Sequence, residues 1–202
     1  MSFQLFLLAL VLPFIGPVDN GDHIESVWTV SGTSRVLVEG QSNVNEFQCV
    51  TLHYEGKDKL EKRIDPNTRD RFLTGSIEMK VRSFDCENRM MTRDLRETLK
   101  EDLYPTISIE LISLRLPEKL ERSQKVRGEA EITIAGNTRV LDLTWTLSMP
   151  DRDKMRLSGN RELKFSQFGL EAPTKMMGMI RVRDELFVDF DLLMEMDERR
   201  VN

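Results

Sequence analysis

Between Gly75 and Leu116 the apolar residues change their period twice, and few folds accommodate both changes. Ile77, Met79 and Val81 alternate with Glu78, Lys80 and Arg82, the two-residue period of a strand with one wet face. Met91, Leu95, Leu99 and Leu103 then recur every four residues among Arg93, Asp94, Arg96, Glu97, Lys100 and Glu101, which predicts a short amphipathic helix over 92–103. Pro105 cannot continue that helix, and Ile107, Ile109 and Leu111 restore the alternation against Ser108 and Glu110.

The rest of the chain keeps the strand period. Alternating segments at 27–31, 35–39, 45–54, 75–84, 106–116, 126–134, 138–149, 155–164, 178–182 and 186–194 are separated by polar turns, with some expected to fuse or split. Ala135-Gly136-Asn137 reads as a tight hairpin turn and Pro150-Asp151-Arg152-Asp153 as the next. Ile132, Leu143, Trp145, Val188 and Phe190 fall on apolar faces whose opposite faces carry Glu131, Asp142, Thr144 and Asp189. One apolar face per strand fits a closed barrel or a sandwich better than a sheet covered on both sides. The charged stretches 55–71 and 117–126 read as solvated loops. The expectation is an all-β fold: an antiparallel, lipocalin-like barrel of about eight strands with one short amphipathic helix.

At 202 residues the chain suits a single domain over 24–202 with a sizeable core. Ahead of it, Leu5 to Leu12 is almost unbroken apolar sequence ended by Pro13, the length of a secretory signal and too short to span a bilayer; residues 1–23 read as that signal. The competing reading is a buried N-terminal strand or helix. No second segment could serve as a transmembrane anchor. A net charge of -5 argues against nucleic-acid binding, which needs a basic surface. Export would place the two cysteines, Cys49 and Cys86, in an oxidising compartment, where a single disulfide is the default. Closing a loop of about 37 residues would stabilise the fold by about 4 kcal/mol in the chain-entropy model. The alternative is two buried thiols acting as small apolar side chains.

Catalytic and metal signatures are missing from the sequence. His23 and His53 lie far apart, and there is no HExxH, CxxC, GxSxG, Walker or dinucleotide fingerprint, so the reading is a non-enzyme without cofactor or metal.

Four segments carry a family resemblance: SRVLVEGQSNVNEFQC at 34–49, SFDCENRMMTRDLRETLKEDLYPTISIEL at 83–111, GEAEITIAGNTRVLDLTW at 128–145 and FGLEAPTKMMGMIRVRDELFVDFDLL at 168–193. In that order they resemble the YceI-type proteins, a bacterial exported family with a lipocalin-like barrel implicated in binding polyisoprenoid lipids. The resemblance implies the same fold, a periplasmic or secreted location, and pairing of Cys49 with Cys86.

Alternation and resemblance together point to passive sequestration of an isoprenoid or other long-chain lipid, such as a quinone tail. The expected wall is Phe47, Ile107, Ile109, Trp145, Phe168 and Phe190, with the 92–103 helix as a lid turning Leu95 and Leu99 inward. Met91, Met176 and Met177 add flexible thioethers suited to a long chain, or else fill gaps between helix and barrel. The second reading is a periplasmic interaction protein with a solid barrel, whose charged 55–71 loop docks a partner. An enzyme acting on a lipid head group would need polar groups converging at the mouth. A homodimer is compatible with each.

Overall fold

The computed structural model describes residues 23–52, 54, 56–119 and 123–197. His53 and residues 1–22, on which the reading of a secretory signal falls, lie outside them. In chain order the elements are β1 (His23–Val30), β2 (Arg35–Ser42), β3 (Glu46–Thr51), β4 (Lys59–Ile64), β5 (Arg71–Lys80), β6 (Phe84–Asp85), α1 (Arg89–Thr98), β7 (Thr106–Leu116), β8 (Ser123–Ile134), β9 (Asn137–Asp151), β10 (Lys154–Lys164), β11 (Thr174–Lys175) and β12 (Ile180–Met196).

Eight of these strands close a ring in the order β1-β4-β5-β7-β8-β9-β10-β12, every neighbour antiparallel, with β1 pairing back onto β12 through Trp28↔Met196 and Val30↔Met194. One edge of β12 serves two strands. Its C-terminal end takes β1, while Val182 to Asp191 pair with β2, which β3 and β6 then extend. Ser34 sits at the changeover, its hydroxyl donating to Leu193 O (3.2 Å) and accepting from Leu193 N (3.0 Å), so the ladder stays bonded where one strand hands over to the next.

Inward faces follow the alternation. Ile77, Leu111, Leu147, Leu157 and Met194 are all but sealed from solvent, with Leu60 and Leu73 beside them. Close strand contact sets one residue: a Cβ on Gly128 would stand 2.1 Å from Ser113 O beside the β7–β8 bulge, so only glycine fits there. The β8–β9 turn is the tight hairpin expected, with Ala135 (φ 49) and Gly136 (φ 77) both left-handed, as a two-residue primed turn requires.

Three local expectations fail. The charged 55–71 stretch holds β4, whose Leu60 is buried while Lys62 Nζ meets Glu25 Oε2 at 3.1 Å; β4 completes the ring between β1 and β5. The 117–126 stretch gives way to β8 from Ser123, and Val126 is core. The helix ends at Thr98, because Lys100 turns left-handed (φ 56); Leu103 lies beyond it, exposed. The segments 178–182 and 186–194 fuse into the single long β12.

Candidate functional site

At the end of the barrel beneath α1, the inward side chains stop short of filling the interior. A cavity of about 90 Å³ remains, lined by Val36 and Val38 from β2, Ile107 and Ile109 from β7, Ile132 from β8, and Val188 and Phe190 from β12, among others. Its side wall is a 3-10 turn, Phe165–Phe168, closed by left-handed Gly169 (φ 63). The turn puts Phe165 and Phe168 three residues apart on one face, both buried. Leu95 and Leu99 cover the cavity from the helix side. Below it, Trp145 packs against Phe190 with ring centroids 4.5 Å apart, forming a solid floor. The one charged lining residue, Lys164, contributes its aliphatic stem: its Nζ reaches the surface to pair with Glu185 at 3.0 Å.

Leu95 and Phe165 also line a second space, a groove of about 250 Å³ that runs outward between α1, the β2–β3 turn and the β11–β12 hairpin. Cavity and groove therefore share these two side chains as a common wall. Phe47, Met91 and Val182 continue the apolar lining toward solvent.

The helix above both spaces is tethered by polar groups more than by packing. Asn88 caps it, its Oδ1 accepting from Met90 N (2.9 Å) and Met91 N (3.3 Å). Thr92 Oγ1 accepts from Cys86 N (3.0 Å), and Arg96 donates to Arg82 O (2.6 Å). Asp94 pairs with Lys175 Nζ across the groove at 2.7 Å. Just before the helix, a disulfide joins Cys86 to Cys49 of β3. No residue within α1 is fully buried; Leu99, its C-cap, is.

The side chains singled out in the sequence thus divide among four places. Leu95, Leu99, Ile107, Ile109, Phe168 and Phe190 line the cavity. Phe47 and Met91 line the groove, together with Leu95. Trp145 lies beneath, in the packed floor. Met176 and Met177 line neither space and stand in solvent at the tip of the β11–β12 turn. Among the lining residues that sequence reading missed, with Val36, Val38, Ile132 and Val188, Phe165 alone borders both spaces. Its signal is the Phe-Ser-Gln-Phe-Gly pattern at 165–169, two aromatics at the 3-10 spacing before a terminating glycine.

The aromatic wall has its own electrostatic latch. Ser166 donates from its backbone N–H to Asp184 Oδ1 at 2.8 Å and from its hydroxyl to Oδ2, tying the 3-10 turn to β12. The hydroxyl bond, helped by the backbone bond and by Lys164, holds the Asp184 carboxyl below the ordinary carboxylate range. A depressed carboxylate stabilises the folded state above its unfolded value of about 3.9, and that support is lost as pH falls through the lower folded value. Asp184→Asn is therefore expected to lower the melting temperature at neutral pH and to leave it unchanged below both values. Melting curves across the acid range test this; identical curves at neutral pH would dismiss the latch.

The polar side chains around the groove are engaged with one another or with backbone. Ser42 and Asn45 bond each other, Asn43 bonds Met179 O and Arg181 N, and Asn88 caps α1. Elsewhere, burial pushes the Tyr54 phenol up, assisted by its bond to Asp58, which also accepts from Glu78 N at 2.8 Å. That pair pins the β3–β4 connection. Among the described residues no group of three His, Cys, Asp or Glu side chains is placed to hold a metal, and no helix is long and apolar enough to cross a membrane.

The architecture has solved counterparts. Burkholderia cenocepacia BcnA is similar at a TM-score of 0.58 and 16% identity, covering 79% of this chain and 95% of its own. A polyisoprenoid binding domain from Saccharophagus degradans, implicated in plant cell wall breakdown, is similar at 0.59 and 12% identity, covering 87% and 100%. A mutant of the Campylobacter jejuni YceI protein reaches 0.50 at 14% identity over 98% and 99%. At such identities the likeness is one of fold. No curated protein matches the sequence. The sequence does match the YceI-like domain over residues 22–194, nearly the whole barrel from β1 into β12, and the chain belongs to the YceI-like family.

Proposed function

We propose that this protein is an exported, non-enzymatic binding barrel that sequesters or carries an amphiphilic lipid, its chain of the polyisoprenoid or isoprenoid-quinone class. The observation that carries this reading is the apolar lining that groove and cavity share at Leu95 and Phe165. A methyl-rich chain laid along it gains roughly 25 cal/mol for each Å² of apolar surface removed from water. The polyisoprenoid-binding relative from Saccharophagus degradans supports the ligand class. The buried Cys49–Cys86 bridge supports an oxidising compartment such as the periplasm.

The cavity, about 90 Å³, is well below the roughly 300–1,000 Å³ usual for a site that takes up a whole ligand. A long chain therefore requires α1 to withdraw, and a helix with no fully buried residue of its own is the element suited to do so. Replacing both Leu95 and Leu99 by Asp is expected to leave a folded barrel and to weaken binding of a soluble isoprenoid such as farnesol at least about tenfold, since a carboxylate in an apolar wall is strongly disfavoured. Titration followed by tryptophan fluorescence measures it. Full affinity in the folded double variant would remove the helix from the site.

The same small volume favours a second reading, a packed barrel that docks a partner through its loops. The 55–71 stretch that would serve it is in part β4, with its charges paired across strands. Mass spectrometry of the organic extract of protein purified from the periplasm of a native-like host separates the two. A stoichiometric isoprenoid or quinone establishes carriage; an empty protein that also takes up none moves the assignment to partner docking.

A further inference from the structure

Five of the twelve large apolar side chains that stand exposed among the described residues gather at the outer mouth of the groove. Val44 comes from the β2–β3 turn, Met90 from the first turn of α1, and Met176, Met177 and Met179 from the β11–β12 turn. Three separate segments thus present apolar tips around one opening. Asn43 binds two of them together, donating to Met179 O at 2.8 Å and accepting from Arg181 N at 2.8 Å.

The methionine turn is costly to the fold. Met176 (φ 51) and Met177 (φ 54) hold left-handed backbone, a region unfavourable to residues with a Cβ, and Met177 is fully exposed, so no packing of its side chain offsets the strain. A strained, unpacked apolar tip fits contact with something outside the chain. Its charged surroundings narrow the choice. Arg181 is exposed beside the tip without an acidic partner, giving its Nε to Gly178 O at 2.8 Å, while Lys175 is held by Asp94. Of the acids near the groove, Asp94 is taken by Lys175 and Glu46 by Gln41 Nε2.

The geometry points to a bilayer surface as the occupant: the methionine turn, with Val44 and Met90, dips into the head-group boundary while Arg181 meets a lipid phosphate, placing the groove mouth on the membrane. Interfacial elements combine apolar insertion and cationic flanks in this way. A second copy of the chain fits poorly, because a stable pair of proteins buries about 800 Å² on each partner and a projecting tip of five side chains offers no such flat area. The inference rests on the lipid-binding reading, since a barrel that exchanges a water-insoluble cargo has use for such a contact.

The test is flotation of the intact protein with vesicles of phosphatidylcholine and phosphatidylglycerol. Wild type is expected to rise with the vesicles. The Met176→Asn, Met177→Asn, Met179→Ser variant, in which asparagine keeps the left-handed turn, is expected to lose at least about tenfold in partitioning while melting as wild type does. Ile112→Ser, an exposed apolar position on β7 across the ring from β12, is expected to change nothing. Arg181→Gln is expected to weaken partitioning less, and chiefly at low salt. Wild type that stays unbound, or a triple variant that floats equally well, overturns the inference. Wild type that ignores vesicles yet forms a dimer lost in the triple variant assigns the tip to a second copy and also overturns it. Farnesol uptake by wild type without vesicles judges the lipid-binding reading separately: uptake without flotation sinks only the membrane contact, and flotation without uptake sinks only carriage.

Discussion

Replacing Cys49 and Cys86 together by alanine is expected to lower the unfolding free energy by about 4 kcal/mol, the chain-entropy value for a loop closed over this length. The bridge spans 37 residues and both of its cysteines are buried, so the loss is felt in the core and not at a fraying edge. Its local effect is larger than its global one. β6 is only two residues long, pairing through Val50↔Asp85 and Thr51↔Phe84, and α1 follows almost at once. Without the bridge, the base of the helix depends on that short ladder, the Asn88 cap, the Thr92 and Arg96 bonds and the Asp94–Lys175 pair. Denaturant melts measure the stability change. Hydrogen exchange is expected to accelerate in residues 89–99 well beyond the acceleration in β8 and β9. An unchanged midpoint, or acceleration spread evenly over the barrel, would show that the bridge does not anchor the helix.

Trp145→Ala is expected to destabilise the barrel by about 3–5 kcal/mol, the usual cost of truncating a buried tryptophan or phenylalanine. Trp145 is 2% exposed and packs, tilted by 41° with ring centroids 4.5 Å apart, against Phe190, which itself lines the cavity. Removing the indole therefore takes away the floor. The cavity deepens toward Leu147 and Leu157, and an apolar ligand long enough to reach the new space gains contact that wild type denies it. Because a ligand that binds only the folded state stabilises by mass action, saturating farnesol is expected to raise the unfolding midpoint of the variant more than that of wild type. Trp145→Phe, which keeps most of the ring contact, falls between the two. Equal ligand-induced shifts in wild type and Trp145→Ala would mean that the ligand never reaches the floor.

Strand β7 was legible to the residue, from Thr106 to Leu116, because two-residue alternation is imposed by the backbone of a single strand. Strand β4 was not. Between Lys59 and Ile64 only Leu60 and Ile64 are apolar, so the segment carries almost no period, and it is a strand because β1 and β5 supply its hydrogen bonds from both sides. The helix shows a subtler limit. A spacing of four residues advances the side chain by about 40° more than a full turn, so Met91, Leu95, Leu99 and Leu103 spiral around an ideal helix and cannot all face one wall. Leu95 and Leu99 met the cavity, Met91 met the groove, and Leu103 fell beyond the left-handed Lys100.

What the chain states locally is most of its strands, the inward face of each, the hairpins and the presence of one amphipathic helix, since all of these follow from backbone periods and turn chemistry acting over a few residues. Whether the inward faces meet or leave space depends on side chains brought together from strands distant in sequence. Trp145 packs against Phe190 as a floor, while Ile107, Ile109, Val188 and Phe165 leave a gap above it, a difference set by ring closure and register. The same holds for the methionines. Their number was plain in the sequence, but the left-handed turn that lifts Met176 and Met177 away from the barrel arises only where β11 folds back on β12.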